Sequence, residues 1–248
     1  MNASPAATLE LSVLIAARAS GERLERCLES LARQSAVTGG YEVVVIVRGG
    51  SPTPGVDHSA SKLPFAFRVL RLPPGTGDPW RDGALAASGR IVLLLFDDMT
   101  ADRELIAEHQ RLHRERTGVV GHGRVIVDVS DPAGALARSA AAMRADRRSR
   151  LAGGDLTPAE CRDGNVSVER SRLLSHEGSG ARTADEACMD HAYRLRAGGA
   201  QLVFLPRAVA SERRARSSRS AVIREAEEEG AADARTMRRH PEALADLR

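Results

Sequence analysis

Runs of Val, Ile and Leu that fail to alternate with polar residues limit most severely what this chain can fold into. "LELSVLIAAR" (9–18), "YEVVVIVRGGS" (41–51) and "RIVLLLF" (90–96) are apolar on both faces of an extended strand, so each must be covered from above and below. Helical spacing supplies the covers. In "ERLERCLESLARQS" (22–35) Leu24, Cys27, Leu28 and Leu31 fall on one face, and "DRELIAEHQRLHRER" (102–116) predicts a second helix. "FRVLRLPPGTG" (67–77) adds a shorter strand closed by Pro and Gly, and "WRDGALAAS" (80–88) a short helix with Gly89 placed to end it. Buried strands alternating with helices predict an α/β chain with a mostly parallel central sheet and helices on both faces.

The second half is less regular. "VGHGRVIVDVS" (120–130) reads as a strand, "PAGALARSAAAMRADRRSRLA" (132–152) as a helix, and "CRDGNVSVERSRL" (161–173) as a strand feeding a helix start. "TADEACMDHAYRLRAGG" (183–199) is a helix closed by glycines, "AQLVFLPRAVA" (200–210) another strand, and residues 217–240 a charged terminal helix. The thin apolar stripe of that last helix suits docking onto its own domain, or a homodimer, rather than a membrane.

Composition excludes several classes. The 248 residues suffice for one large domain. Basic and acidic residues number 36 and 33, a net charge of +3 that argues for no nucleic-acid partner. No apolar run approaches the ~18 residues of a membrane span. The three cysteines, Cys27, Cys161 and Cys188, have neither zinc-site spacing nor even number, which fits a reducing cytoplasm.

A sheet of this kind collects ligands beyond the carboxyl ends of its strands. That edge gathers Arg18, the run from Arg48 to Ser51, and the adjacent acids Asp97 and Asp98. The two acids read either as a site for a hard cation, which takes oxygen ligands, or as the solvated end of a strand. His109 and His113, four apart on one helix, have metal-ligand spacing but no third partner, and read as a solvated face. Thr183 followed by Glu186 has the form of a capping box.

The order of these segments resembles the family 2 glycosyltransferases of the GT-A fold from about residue 11 to 241. "LSVLIAARASGERLERCLESLARQS", "YEVVVIVRGGS" and "GALAASGRIVLLLFDD" match the opening strand and helix, the second strand and the strand carrying the DxD motif. "GNVSVERSRLL" and "DHAYRLRAGGAQLVFLPRAV" match the acceptor-side segments. The resemblance implies a GT-A-like, Rossmann-type nucleotide-diphospho-sugar transferase fold. It divides the chain into a flexible N-terminus (1–8), one domain over 9–212 with donor and acceptor halves meeting near residue 100, and an Arg/Ser-rich loop and helix over 213–248.

Site roles follow from the same resemblance. Phe96, Asp97 and Asp98 occupy the DxD places, so Asp98 is expected to ligate Mg²⁺ or Mn²⁺. Glu212, near a position where the family often has His, is an alternative ligand. Arg18, Arg48, Ser51 and Asp97 are expected at the donor. Arg48 stands where the family has an acid that accepts a hydrogen bond from the base, and a guanidinium accepts none, so poor uridine recognition is expected. The Glu-Asp pair from which the family usually draws its catalytic base falls on Ala187 and Cys188, leaving Glu186, Asp190 and Asp185 as candidate bases. The implied function is inverting transfer of a sugar from a nucleotide donor to a soluble small molecule, as in secondary metabolism. The alternatives are a non-catalytic binding protein and a different chemistry in which Arg18 and Arg48 grip an anion.

Overall fold

The computed structural model describes residues 9–17, 21–49, 63–73, 78–128, 156–213 and 219–246. Arg18, Ser51 and the helix expected over 132–152 lie outside them. In chain order the elements are β1 (Leu11–Ala17), α1 (Gly21–Ala32), β2 (Tyr41–Arg48), β3 (Ala66–Leu72), α2 (Pro79–Ala86), β4 (Ile91–Phe96), β5 (Met99–Ala101), α3 (Leu105–Glu115) and β6 (Val119–Asp128). A 3₁₀ helix (Pro158–Asp163), β7 (Val166–Glu169), α4 (Arg170–Leu174), α5 (Ala184–Ala197), β8 (Gln201–Arg213), α6 (Arg219–Arg239) and α7 (Ala243–Asp246) complete them.

The described strands form one sheet in the order β3-β2-β1-β4-β7-β6-β8-β5. β1 lies at its apolar centre, with Leu14 paired to Val44 on one side and Leu94 on the other, both in parallel register. Four of the seven pairings are parallel, and those of β4–β7, β6–β7 and β5–β8 are antiparallel. The chain runs outward from β1 to β2 and β3, then returns to place β4 on the other side of β1. Such a reversal opens a crevice at the carboxyl ends of the strands, where β4 delivers Phe96, Asp97 and Asp98. Gly89 lets the turn into β4 cross β1 closely, since a Cβ there would lie 2.6 Å from the backbone of Leu11 and Ser12.

His109 and His113 are not a solvated face. Both are buried and join α3 to β7 through Ser167, with His109 Nδ1 at 2.7 Å and His113 Nε2 at 2.9 Å from its Oγ. Asn165 fixes the proton positions. Its amide nitrogen donates to the carbonyls of Ala208 and Arg124, so its oxygen accepts from His109 Nε2 at 2.9 Å. His109 Nδ1 then accepts from Ser167, and Ser167 accepts from His113 Nε2. Burial pulls both imidazoles down to about 4, aided by His113 in the first case and Arg90 in the second. The glycines of "GHG" make room: a Cβ on Gly121 would lie 2.8 Å from Ser167 Oγ, and one on Gly123 2.2 Å from the Asn165 amide. Sequence periodicity placed these histidines on a helix but could not show that the sheet offered polar partners on its inner face.

Candidate functional site

Apolar packing brings β4 to its end without a gap. Phe96 is buried with its ring 5.6 Å from that of Trp80, and Gly164, at φ 75°, packs closely on the same ring, where a Cβ would lie 3.0 Å from it. The next two acids then part. Asp97 is 1% exposed and turns inward, while Asp98 lines a pocket of about 130 Å³. The thiol of Cys27 is pushed up by burial and then by the charges of Asp97 and Asp98.

Four further elements wall the pocket. Short β5 pairs antiparallel with the end of β8, setting Glu212 opposite Met99 and in the lining of the same pocket as Asp98. The 3₁₀ helix contributes Arg162 and Asp163, and the start of α5 contributes Thr183, Asp185 and Met189. α6 closes the last side with Glu228, Glu229 and Ala232. Ligand sites usually offer ~300 Å³ or more, so this pocket fits the reacting end of a ligand rather than a whole nucleotide sugar.

The start of α5 separates the candidate bases. Thr183 Oγ1 accepts from the Glu186 backbone N–H at 3.2 Å, and Glu186 Oε2 accepts from the Arg182 N–H at 3.2 Å. The capping reading therefore holds, with the return bond shifted to the residue before the cap. Glu186 also takes Arg235 across both oxygens, at 2.9 to 3.1 Å, and Arg239 Nη2 at 2.6 Å. Burial alone would raise this carboxyl, but the bonds from Arg235 and Arg239 leave it lowered. Asp190, equally buried, meets Arg239 and His240 on Oδ1 at 2.9 Å each and Arg194 on Oδ2 at 2.8 Å. Neither Glu186 nor Asp190 lines the pocket; Asp185 does.

Two further sets of contacts brace the entry to α5. Arg48 Nη1 donates to the carbonyl of Arg182 at 3.3 Å, tying the end of β2 to the turn before α5. Asp78 anchors the same region from α2. Its Oδ1 caps the helix by accepting from the N–H groups of Trp80 and Arg81, and its Oδ2 accepts from Ser179 N and His191 Nε2. Sequence reading missed both Asp78 and His191. The only local signal was an acid just before Pro79, a helix start.

The fit of a divalent cation can be judged from the donors. Asp98 and Glu212 bring carboxylate oxygens, hard ligands, to one pocket. Among the described residues no three His, Cys, Asp or Glu side chains are grouped to hold a metal. An ion here would therefore need donor phosphate and water as its remaining ligands, as Mg²⁺ and similar ions commonly do.

The profile of glycosyl transferase family 2 matches residues 12–165. The chain belongs to that family. Its fold is the GT-A fold, shared with solved structures of low sequence identity. TarS 1–349 of S. aureus is 13% identical, with a TM-score of 0.63 over 83% of this chain and 60% of that one. The same protein in complex with UDP-GlcNAc is 15% identical, with a TM-score of 0.60 over 85% and 60%. The mannosyltransferase PcManGT of Pyrobaculum calidifontis, in complex with GDP-Man and Mn²⁺, is 18% identical, with a TM-score of 0.69 over 95% and 66%. The chain thus spans about 60% of the length of the TarS 1–349 structures. Among curated proteins none matches it significantly. Within this family-2 chain, no described helix is long and apolar enough to cross a membrane.

Proposed function

We propose that this family-2 protein is an inverting glycosyltransferase whose donor is a nucleotide-diphospho-sugar and whose acceptor is a soluble small molecule. One observation carries the reading: Asp98, at the end of β4, and Asp185, at the start of α5, line the same pocket. Asp98 and Glu212 would hold Mg²⁺ or Mn²⁺, which when bound neutralises charge growing on the leaving phosphate. Asp185 takes the proton of the acceptor hydroxyl as that oxygen bonds to the anomeric carbon. The bond from that carbon to the donor phosphate breaks on the opposite side, and the nucleoside diphosphate leaves.

Glu186 is poorly suited to the base role, because the bonds from Arg235 and Arg239 hold its carboxyl lowered. Asp190 does not line the pocket. Donors carried by GT-A neighbours include UDP-GlcNAc for TarS and GDP-Man for the mannosyltransferase, so the fold leaves the base open. Arg48, having donors only, favours a base other than uracil. The test is thermal melting with UDP-GlcNAc or GDP-Man, each with and without Mn²⁺. A metal-dependent rise in midpoint with at least one donor is expected, since a ligand of the folded state stabilises it. Indifference to every nucleotide sugar would leave a non-catalytic relative as the better reading.

A further inference from the structure

The five hydrogen bonds between Glu186, Asp190 and α6 do more than fasten a terminal helix. Glu186 and Asp190 are each 0% exposed and lie four residues apart, on one face of α5. Arg235 and Arg239 have the same separation on α6, and Arg239 bridges both acids, with Nη2 2.6 Å from Glu186 and Nε 2.9 Å from Asp190. A second contact between Arg162 and Asp233 ties the 3₁₀ helix to α6 two residues before Arg235. A buried carboxylate stripped of its cation is strongly destabilised. Without these arginines, the first turn of α5 would have to open to hydrate Glu186, and that turn carries Asp185.

We propose that Arg235 and Arg239 are positioning residues that act through Glu186 and Asp190 to aim the Asp185 carboxylate into the pocket. Neither is among the residues that line the pocket. Planar, two-pronged donation sets direction as well as charge, and Arg235 spans both oxygens of Glu186. Glu186 in turn holds the Arg182 N–H, so the carboxylate fixes both the turn entering α5 and its third residue. α6 supplies part of the pocket wall through Glu228, Glu229 and Ala232, so the same docking sets the width of the space Asp185 faces.

This inference rests on the reading of Asp185 as base, and the experiment separates the two. Amide hydrogen exchange over residues 182–190 is compared in the wild type, Arg239→Lys and Arg235→Gln. Faster exchange confined to that turn is expected in both variants, and unchanged exchange would overturn the positioning role whatever the substrate. The second readout is release of nucleoside diphosphate from whichever of UDP-GlcNAc and GDP-Man raises the melting midpoint. Misplacement of a catalytic group by about 1 Å can cost ~10²-fold. A comparable fall in kcat with KM for the donor unchanged is expected in Arg235→Gln, and a smaller fall in Arg239→Lys, which keeps the charge. Wild-type kcat in both variants would overturn the proposal. Absence of turnover in the wild type itself would count against the transferase reading, leaving the exchange data to decide the role of the arginines.

Discussion

His191 Nε2 lies 2.6 Å from Asp78 Oδ2, and both side chains are buried. The pair joins the N-cap of α2 to α5. Burial opposes ionisation of Asp78, but the hydrogen bond and charge of His191 and the N–H groups of Ser179 and Arg81 leave its carboxyl lowered. Replacing His191 by Phe keeps the volume and removes the partner, so a loss of about 3 kcal/mol is expected, the scale for breaking a buried pair. Urea unfolding followed by circular dichroism measures it.

Two neighbouring acids on α5 should fail in different ways. Asp185→Asn is expected to lower turnover by roughly 10²–10⁴ with donor binding retained, as loss of a general base does. Glu186→Gln should lower stability first, because it leaves Arg235 and Arg239 facing a neutral amide. Steady-state kinetics and thermal melting on both variants check the contrast; equal kinetic and thermal behaviour would contradict the division of roles.

Asp98→Asn should abolish the Mn²⁺ dependence of nucleoside diphosphate binding while the fold is kept, since the acid stands at a strand end. Asp97→Asn, a change on the buried side of the same dipeptide, should leave that dependence in place. Titration calorimetry with and without Mn²⁺ distinguishes them.

Acidification should weaken the fold through the buried imidazoles. His109 and His113 titrate near 6.5 when unfolded and at about 4 when folded, so the unfolded chain binds more protons between those values. Their stabilising contribution is complete above pH 6.5 and declines as pH falls to 4, by on the order of 3 kcal/mol for each group. Denaturant midpoints at pH 7 and pH 5 should differ accordingly, and His109→Gln should reduce the difference.

Arg48→Asp restores an acceptor at the end of β2 and should tighten UDP binding. Titration with UDP in the presence of Mn²⁺ reads this directly; tight UDP binding to the unmodified protein that weakens in the variant would sink the idea.

The sheet was legible because residues such as Leu14 and Leu94 leave no polar face, and the end of β4 followed from that burial. The capping pair Thr183 and Glu186 was legible as well, being local. What could not be read were contacts set by distant packing. Arg235 and Arg239 look solvated on a charged helix until α5 is placed against them. Asp78 and His191 carry no mutual spacing, and β5 is too short to declare itself. The partition of Asp185 from Glu186 likewise depends on which way the first turn of α5 faces, and that is set by α6.

Trp80 is the only tryptophan in the chain. It is fully buried, packs on Phe96 and donates its indole N–H to the carbonyl of Ala184 at 2.8 Å. One fluorophore therefore reads both walls of the pocket, the strand end that delivers Asp98 and the helix turn that delivers Asp185. The protein carries its own optical gauge of whether those walls stay together, with no label to attach and no competing emission from another indole.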